Sequence, residues 1–201
     1  LSEISSLRAL DLNGVQFPES SLEHLVHLES LQRLNLSETG VSDAGVALLA
    51  RCPSLLALHL GKTRVTPVSL QTLTSLKTLT ELSLDGTHIS DKHLRSLQGL
   101  PQLTVLSLAK TDVQGSGLAA LRPLKNLVSL DLGGIPLRDK ALRHLGVLEG
   151  LEVLRLTQAK VSDEDLRHLS GLSKLREIGL ASTPLTGDGL KHLGWMTRLE
   201  T

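Results

Sequence analysis

Leucine returns at one fixed interval along this chain, as Leu7, Leu31, Leu55, Leu79, Leu103, Leu127, Leu151, Leu175 and Leu199, a 24-residue step with no insertion or deletion. Self-similarity at such a period is the signature of a solenoid, in which each unit covers its apolar face only by stacking on its neighbours. The step divides the chain into about eight units, 7–30, 31–54, 55–78, 79–102, 103–126, 127–150, 151–174 and 175–198, and residues 1–201 read as one array.

The unit 79–102, LTELSLDGTHISDKHLRSLQGLPQ, changes period half-way. Leu82 and Leu84 alternate with Ser83 and Asp85, which predicts a short strand with one buried face. Thr87 and Ile89 carry the chain around a corner. Ser90 then reads as a helix N-cap, and Asp91 as an acid suited to the dipole of its own helix. Leu94, Leu97 and Leu100 predict an amphipathic helix of roughly two turns. Thr66-Pro67 supports the same cap position, because proline is tolerated at the first helical residue.

Strands stacked about 4.8 Å apart must line the inside of an arc whose outside holds helices packed roughly 8–10 Å apart. The pattern L-x-x-L-x-L-x-x-T-x-V-S-D-x-x-L-x-x-L-x-x-L resembles a leucine-rich repeat over essentially the whole chain. That resemblance implies an α/β fold, a right-handed β/α horseshoe with a concave parallel β-sheet and convex short helices. The stretch Val41 to Leu55, VSDAGVALLARCPSL, resembles the cysteine-containing subclass of F-box proteins, with Cys52 at that subclass's late cysteine. The corners hold Thr39, Thr63, Thr87, Thr111 and Thr183 where that subclass has cysteine or asparagine; similar threonine-cornered repeats also resemble those of bacterial proteins.

Charge and cysteine content narrow the partners. Lys+Arg and Asp+Glu are equal at 21 each, so no basic footprint for nucleic acid or an anionic membrane is expected. No apolar run is long enough to span a bilayer. The single cysteine, Cys52, excludes an internal disulfide and fits a reducing, cytoplasmic setting. The sequon Asn35-Leu36-Ser37 falls on an expected strand, where a glycan would block the sheet. Leu1 and Ile4 are in register with Leu97 and Leu100, inside the helix of a unit that lacks its strand, and no polar cap is seen at either end. A piece of a longer chain is therefore expected, with self-association through uncapped ends. Trp195 is expected to cover the last unit or to dock another.

Function is expected on the concave face. His59, Ser83, Ser107 and Asp85 contain the parts of a nucleophilic triad, but an open strand surface offers neither an enclosing pocket nor oxyanion donors, so no enzyme activity is expected. His24, His144, His168 and His192 share one unit position, yet helix spacing is too wide for a common ion, and neither metal nor cofactor is expected. The corner threonines read as architecture, and Gly115-Ser116-Gly117 and Gly133-Gly134 as flexible joints. The remaining candidate is a partner-binding patch for a protein or peptide: Val105, Ser107, Ala109, Val128, Asp131, Val153 and Arg155. Apolar residues on a solvent-facing sheet supply desolvation there, and Asp131 and Arg155, neighbours in adjacent strands, are expected to pair or to orient the partner. A recognition module follows, with substrate capture for a ubiquitin ligase as one version. The alternatives are a regulatory domain of a larger enzyme and a structural spacer, the latter favoured by the scarcity of aromatics, 1% of the chain.

Overall fold

The computed structural model describes residues 6–138 and 140–200. The register expected for Leu1 and Ile4 lies outside these residues. Eight three-residue strands form one parallel sheet in sequential order: β1 (Ala9–Asp11), β2 (Arg33–Asn35), β3 (Ala57–His59), β4 (Glu81–Ser83), β5 (Val105–Ser107), β6 (Ser129–Asp131), β7 (Val153–Arg155) and β8 (Glu177–Gly179). Ala9 pairs with Arg33, Arg33 with Ala57, and so on to Val153 with Glu177, so like positions of successive units stand side by side. The central residue of each strand points inward: Leu58, Leu82, Leu130 and Leu154 have no measurable exposure, and Ile178 keeps 9%. With the helix leucines they make one continuous core from Leu22 to Met196.

Most returning segments have the expected length, but they are wound more tightly than the sequence suggests. Among the described residues only α1 (Asp43–Leu49), α2 (Pro67–Leu73) and α3 (Asp163–Leu166) are α-helical, and the other units wind as 3₁₀-helix, as at Asp91–Gly99 and Ser116–Leu121. The spacing of three, as in Leu94, Leu97 and Leu100, suits a helix of 3.0 residues per turn, but α1 and α2 keep the same spacing at Val46, Leu49 and Cys52 and at Leu70, Leu73 and Leu76, so it does not by itself select the 3₁₀ form. The caps fall where expected. Ser42 and Thr66 accept the amides of Ala44 and Val68, and Pro67 opens α2.

At the end of each strand the chain turns through the left-handed region. Gly14, Glu38, Lys62, Gly86, Lys110, Gly134, Gln158 and Ser182 all have φ between 52° and 70°. That conformation aims the amide at the following unit: Lys62 donates to the carbonyl of Asp85 at 2.6 Å, and Gly134 to that of Thr157 at 2.8 Å. Four of the five non-glycine residues, Glu38, Lys62, Lys110 and Gln158, accept the cost of roughly 1 kcal/mol or more while making this backbone bond. The corner threonines stabilise this bend, each hydroxyl donating to the carbonyl three residues back, as in Thr39 to Leu36 at 2.6 Å and Thr111 to Leu108 at 2.7 Å.

Two expectations are corrected here. Asp91 does not serve its own helix; its carboxylate accepts the amides of Gln114, Gly115 and Gly117 at the start of the next one. Glu19, Asp43 and Asp163 do the same for Ser42, Thr66 and Thr186. Pro67 brings no carboxylate to the unit that follows it, and there Ser90 takes its cap from His93 of its own turn, at 3.0 Å. Nor are the glycine stretches joints. A Cβ on Gly117 would collide with the main chain of Asp91, and one on Gly115 with Ala141, so both glycines allow close stacking. Gly134 is held in the recurring turn, beneath the side chain of Lys110.

Candidate functional site

Because strand residues alternate, the first and third residue of each strand project from the sheet away from the core. This open face therefore carries two rows. In the first, Val105 pairs with Ser129 and Ser129 with Val153; in the second, Ser107 pairs with Asp131 and Asp131 with Arg155. A third row follows the strands, where Asp85 and Ala109 stand on the same face. Asp85 Oδ1 accepts the Ser107 hydroxyl and, at 3.0 Å, the Ala109 amide.

The structure thus brings Ser107, Ala109, Asp131 and Arg155 into one contiguous area, with Val105 and Val153 on either side of Ser129. Those valines are separated by two strand spacings, about 10 Å. Val128 sits apart. It precedes β6, and its carbonyl accepts the amides of Glu152 and Val153, which places it at the margin of the sheet.

The expected pair between Asp131 and Arg155 is replaced by another. Arg155 bonds instead to Glu177 Oε1 at 2.9 Å, across to β8. Asp131 accepts the Gly133 amide at 2.8 Å. Its pKa is raised: burial pushes it up, the Gly133 amide pulls it down, Asp85 adds repulsion, and Arg155 offsets part of this. Half-buried Asp131 is a poor place to hold full charge, while Glu177 shares the solvent with Arg155.

The triad parts are not assembled. His59 Nε2 lies 2.9 Å from Glu81 Oε1, while Ser107 is bonded to Asp85. On the helix side, His144 contacts the Arg143 guanidinium, and its pKa is lowered by burial and by Arg143 and Arg122. His168 Nε2 is buried without a partner. Among the described residues no three His, Cys, Asp or Glu side chains are grouped to hold a metal ion, and no helix is long and apolar enough to cross a membrane. Cys52 is buried and packs its sulfur 3.8 Å from the Leu25 carbonyl; burial pushes its thiol pKa up.

One feature of the open face escaped sequence reasoning. A groove of about 350 Å³ runs over β1 to β4, where Arg33 stands between Ala9 and Ala57, with Asp11, His59 and Glu81 around it. The signal was in the strand column, small-large-small at Ala9, Arg33 and Ala57, since a long side chain between two alanines leaves space on both flanks.

Residues 53–113 match a family model described as leucine rich repeat, and residues 27–50 match a second of the same description. Internalin C2 of Listeria monocytogenes superposes with a TM-score of 0.76 at 23% identity, over 98% of this chain and 81% of that one. The chain has the leucine-rich repeat fold. A leucine-rich repeat protein of Leptospira interrogans superposes with a TM-score of 0.66 at 18% identity, over 98% of this chain and 54% of its own. TLR13, solved as a complex with ssRNA13, gives 0.58 at 20% identity, over 99% of this leucine-rich repeat chain and 36% of its own. No curated protein matches the sequence.

Proposed function

We propose that this leucine-rich repeat array is a non-enzymatic recognition module that binds a protein or peptide on the concave face of its sheet. The observation that supports this most is the surface over β5 to β7, where partly exposed Val105 and Val153 lie beside Asp131 and Arg155 on a face against which no described helix packs. Apolar area gives a partner desolvation, and the charges orient it. The groove around Arg33 extends the same face towards β1. A protein is preferred over nucleic acid as the partner because Asp11, Glu81, Asp85, Asp131 and Glu177 outnumber Arg33 and Arg155 there, which repels phosphate.

Substrate capture for a ubiquitin ligase is the narrower version of this proposal. It draws on Cys52, which is packed against the preceding unit as a structural residue at the position where the F-box subclass has its late cysteine.

Site-directed cross-linking tests the proposal. In a Cys52→Ala background, a photo-cross-linker on Ser107→Cys should capture the partner, and one on Val68→Cys, 61% exposed on α2, should not. Capture from Val68→Cys alone would move the interface to the helices.

A further inference from the structure

The open sheet face is acidic although the chain as a whole has no net charge. Of its cations, Arg155 is held by Glu177, His59 by Glu81, Arg33 stands over β2, and Lys110 at the edge of the face lies across Gly134. Asp85 and Asp131 make no ion pair among the described residues. Each uses Oδ1 on neighbouring protein groups, Ser107 and Ala109 for Asp85 and Gly133 for Asp131, while neither Oδ2 accepts a hydrogen bond. The two carboxylates repel each other, which adds to the burial of Asp131 in raising its pKa. Between them the surface is low, because Ala109 and Gly133 have little or no side chain. Val105 and Val153 supply apolar surface two rows away, beyond Ser107 and Asp131.

Resting on the reading of this face as a protein-binding surface, we infer that the partner segment is basic and seats an arginine or lysine side chain over Ala109, bridging Asp85 and Asp131. Charge complementarity argues for this occupant. A cation between two carboxylates relieves their repulsion, and the low floor at Ala109 and Gly133 leaves room for its aliphatic stem. Arg155, next to Asp131 in the same row, is one of the protein's own candidates for that place. Glu177 holds it away at 2.9 Å, so the Arg155–Glu177 pair keeps the seat free for an external cation.

The test is an amide-resolved NMR titration of the chain with acetyl-Gly-Arg-Gly-amide and, in parallel, acetyl-Gly-Glu-Gly-amide. The arginine peptide should shift the amides of Ala109 and Gly133 saturably, and the glutamate peptide should not. Asp131→Asn should weaken the arginine peptide at least threefold. Glu177→Gln, which frees Arg155 to swing to Asp131, should weaken it as well with both aspartates intact. Equal shifts with the two peptides, or no effect of either variant, would overturn the inference. A partner that still cross-links from Ser107→Cys but ignores Asp131→Asn would refute the basic seat and leave the recognition surface standing. Failure of cross-linking from Ser107→Cys would count against the surface itself.

Discussion

Asp91 and Gly117 meet across the seam between two units: Asp91 Oδ1 accepts the Gly117 amide at 2.7 Å, and a Cβ on Gly117 would run into the main chain of Asp91. The hydrogen bond requires the close approach, and the close approach requires glycine. Gly117→Ala should therefore destabilise the chain by about 1–3 kcal/mol, as overpacking does in a tight contact. Gly40→Ala is the control, since a Cβ there meets nothing within 4 Å and its change should stay within about 0.5 kcal/mol. Chemical denaturation of both variants checks this, and equal losses would remove the seam as the cause.

The carboxylate side of the seam can be tested separately. Asp91→Ala leaves the amides of Gln114, Gly115 and Gly117 without their acceptor. Hydrogen bonds to a charged group contribute about 1.5–3 kcal/mol each, and water recovers part of that at the exposed Gln114. A loss of about 2–4 kcal/mol is expected, with hydrogen exchange accelerating first at Gly115 and Gly117.

Acid should act on Asp43 and Asp131 in opposite directions. At Asp43 burial pushes the pKa up, but hydrogen bonds from Ser69 and Thr66 outweigh it and the net shift is downward. Its folded state binds fewer protons than the unfolded chain, so its contribution is present above the ordinary aspartate pKa and is lost as pH falls through the lowered one. Asp131 is raised, so its folded state binds more protons and loses stability as pH rises through the raised value. Asp43→Asn should lower Tm at pH 7 and lose this effect progressively as pH falls through the lowered carboxyl pKa, while Asp131→Asn should raise Tm at pH 7. A common sign at pH 7 would contradict these assignments.

Cys52, with 1% exposure and its sulfur against the Leu25 carbonyl, should react with a thiol reagent only as fast as the array opens. The rate should rise steeply across the denaturation midpoint. Rapid modification of the native protein would show that the first units open on their own.

What the sequence showed depended on whether a feature repeats within one unit or arises between units. The 24-residue step places Leu34, Leu58 and Leu82 in one buried column and the corner threonines in another, so the strands, the core and the turns are legible. The reach of Asp91 into the next unit is not, because it depends on how far apart the coils stack. Arg155 had acidic neighbours on both sides, Asp131 in its own row and Glu177 on the diagonal, and only the burial of Asp131 decides between them. Gly115 and Gly117 look permissive in a sequence, yet their lack of a side chain serves the neighbours they touch.

The claim that this face binds a partner is tested most directly by the affinity of a cross-linked and identified partner for the double variant Val153→Glu, Arg155→Glu. Both side chains project from β7 away from the core, so Tm should move little. The account predicts a loss of affinity of tenfold or more at unchanged Tm; unchanged affinity would place the interface elsewhere.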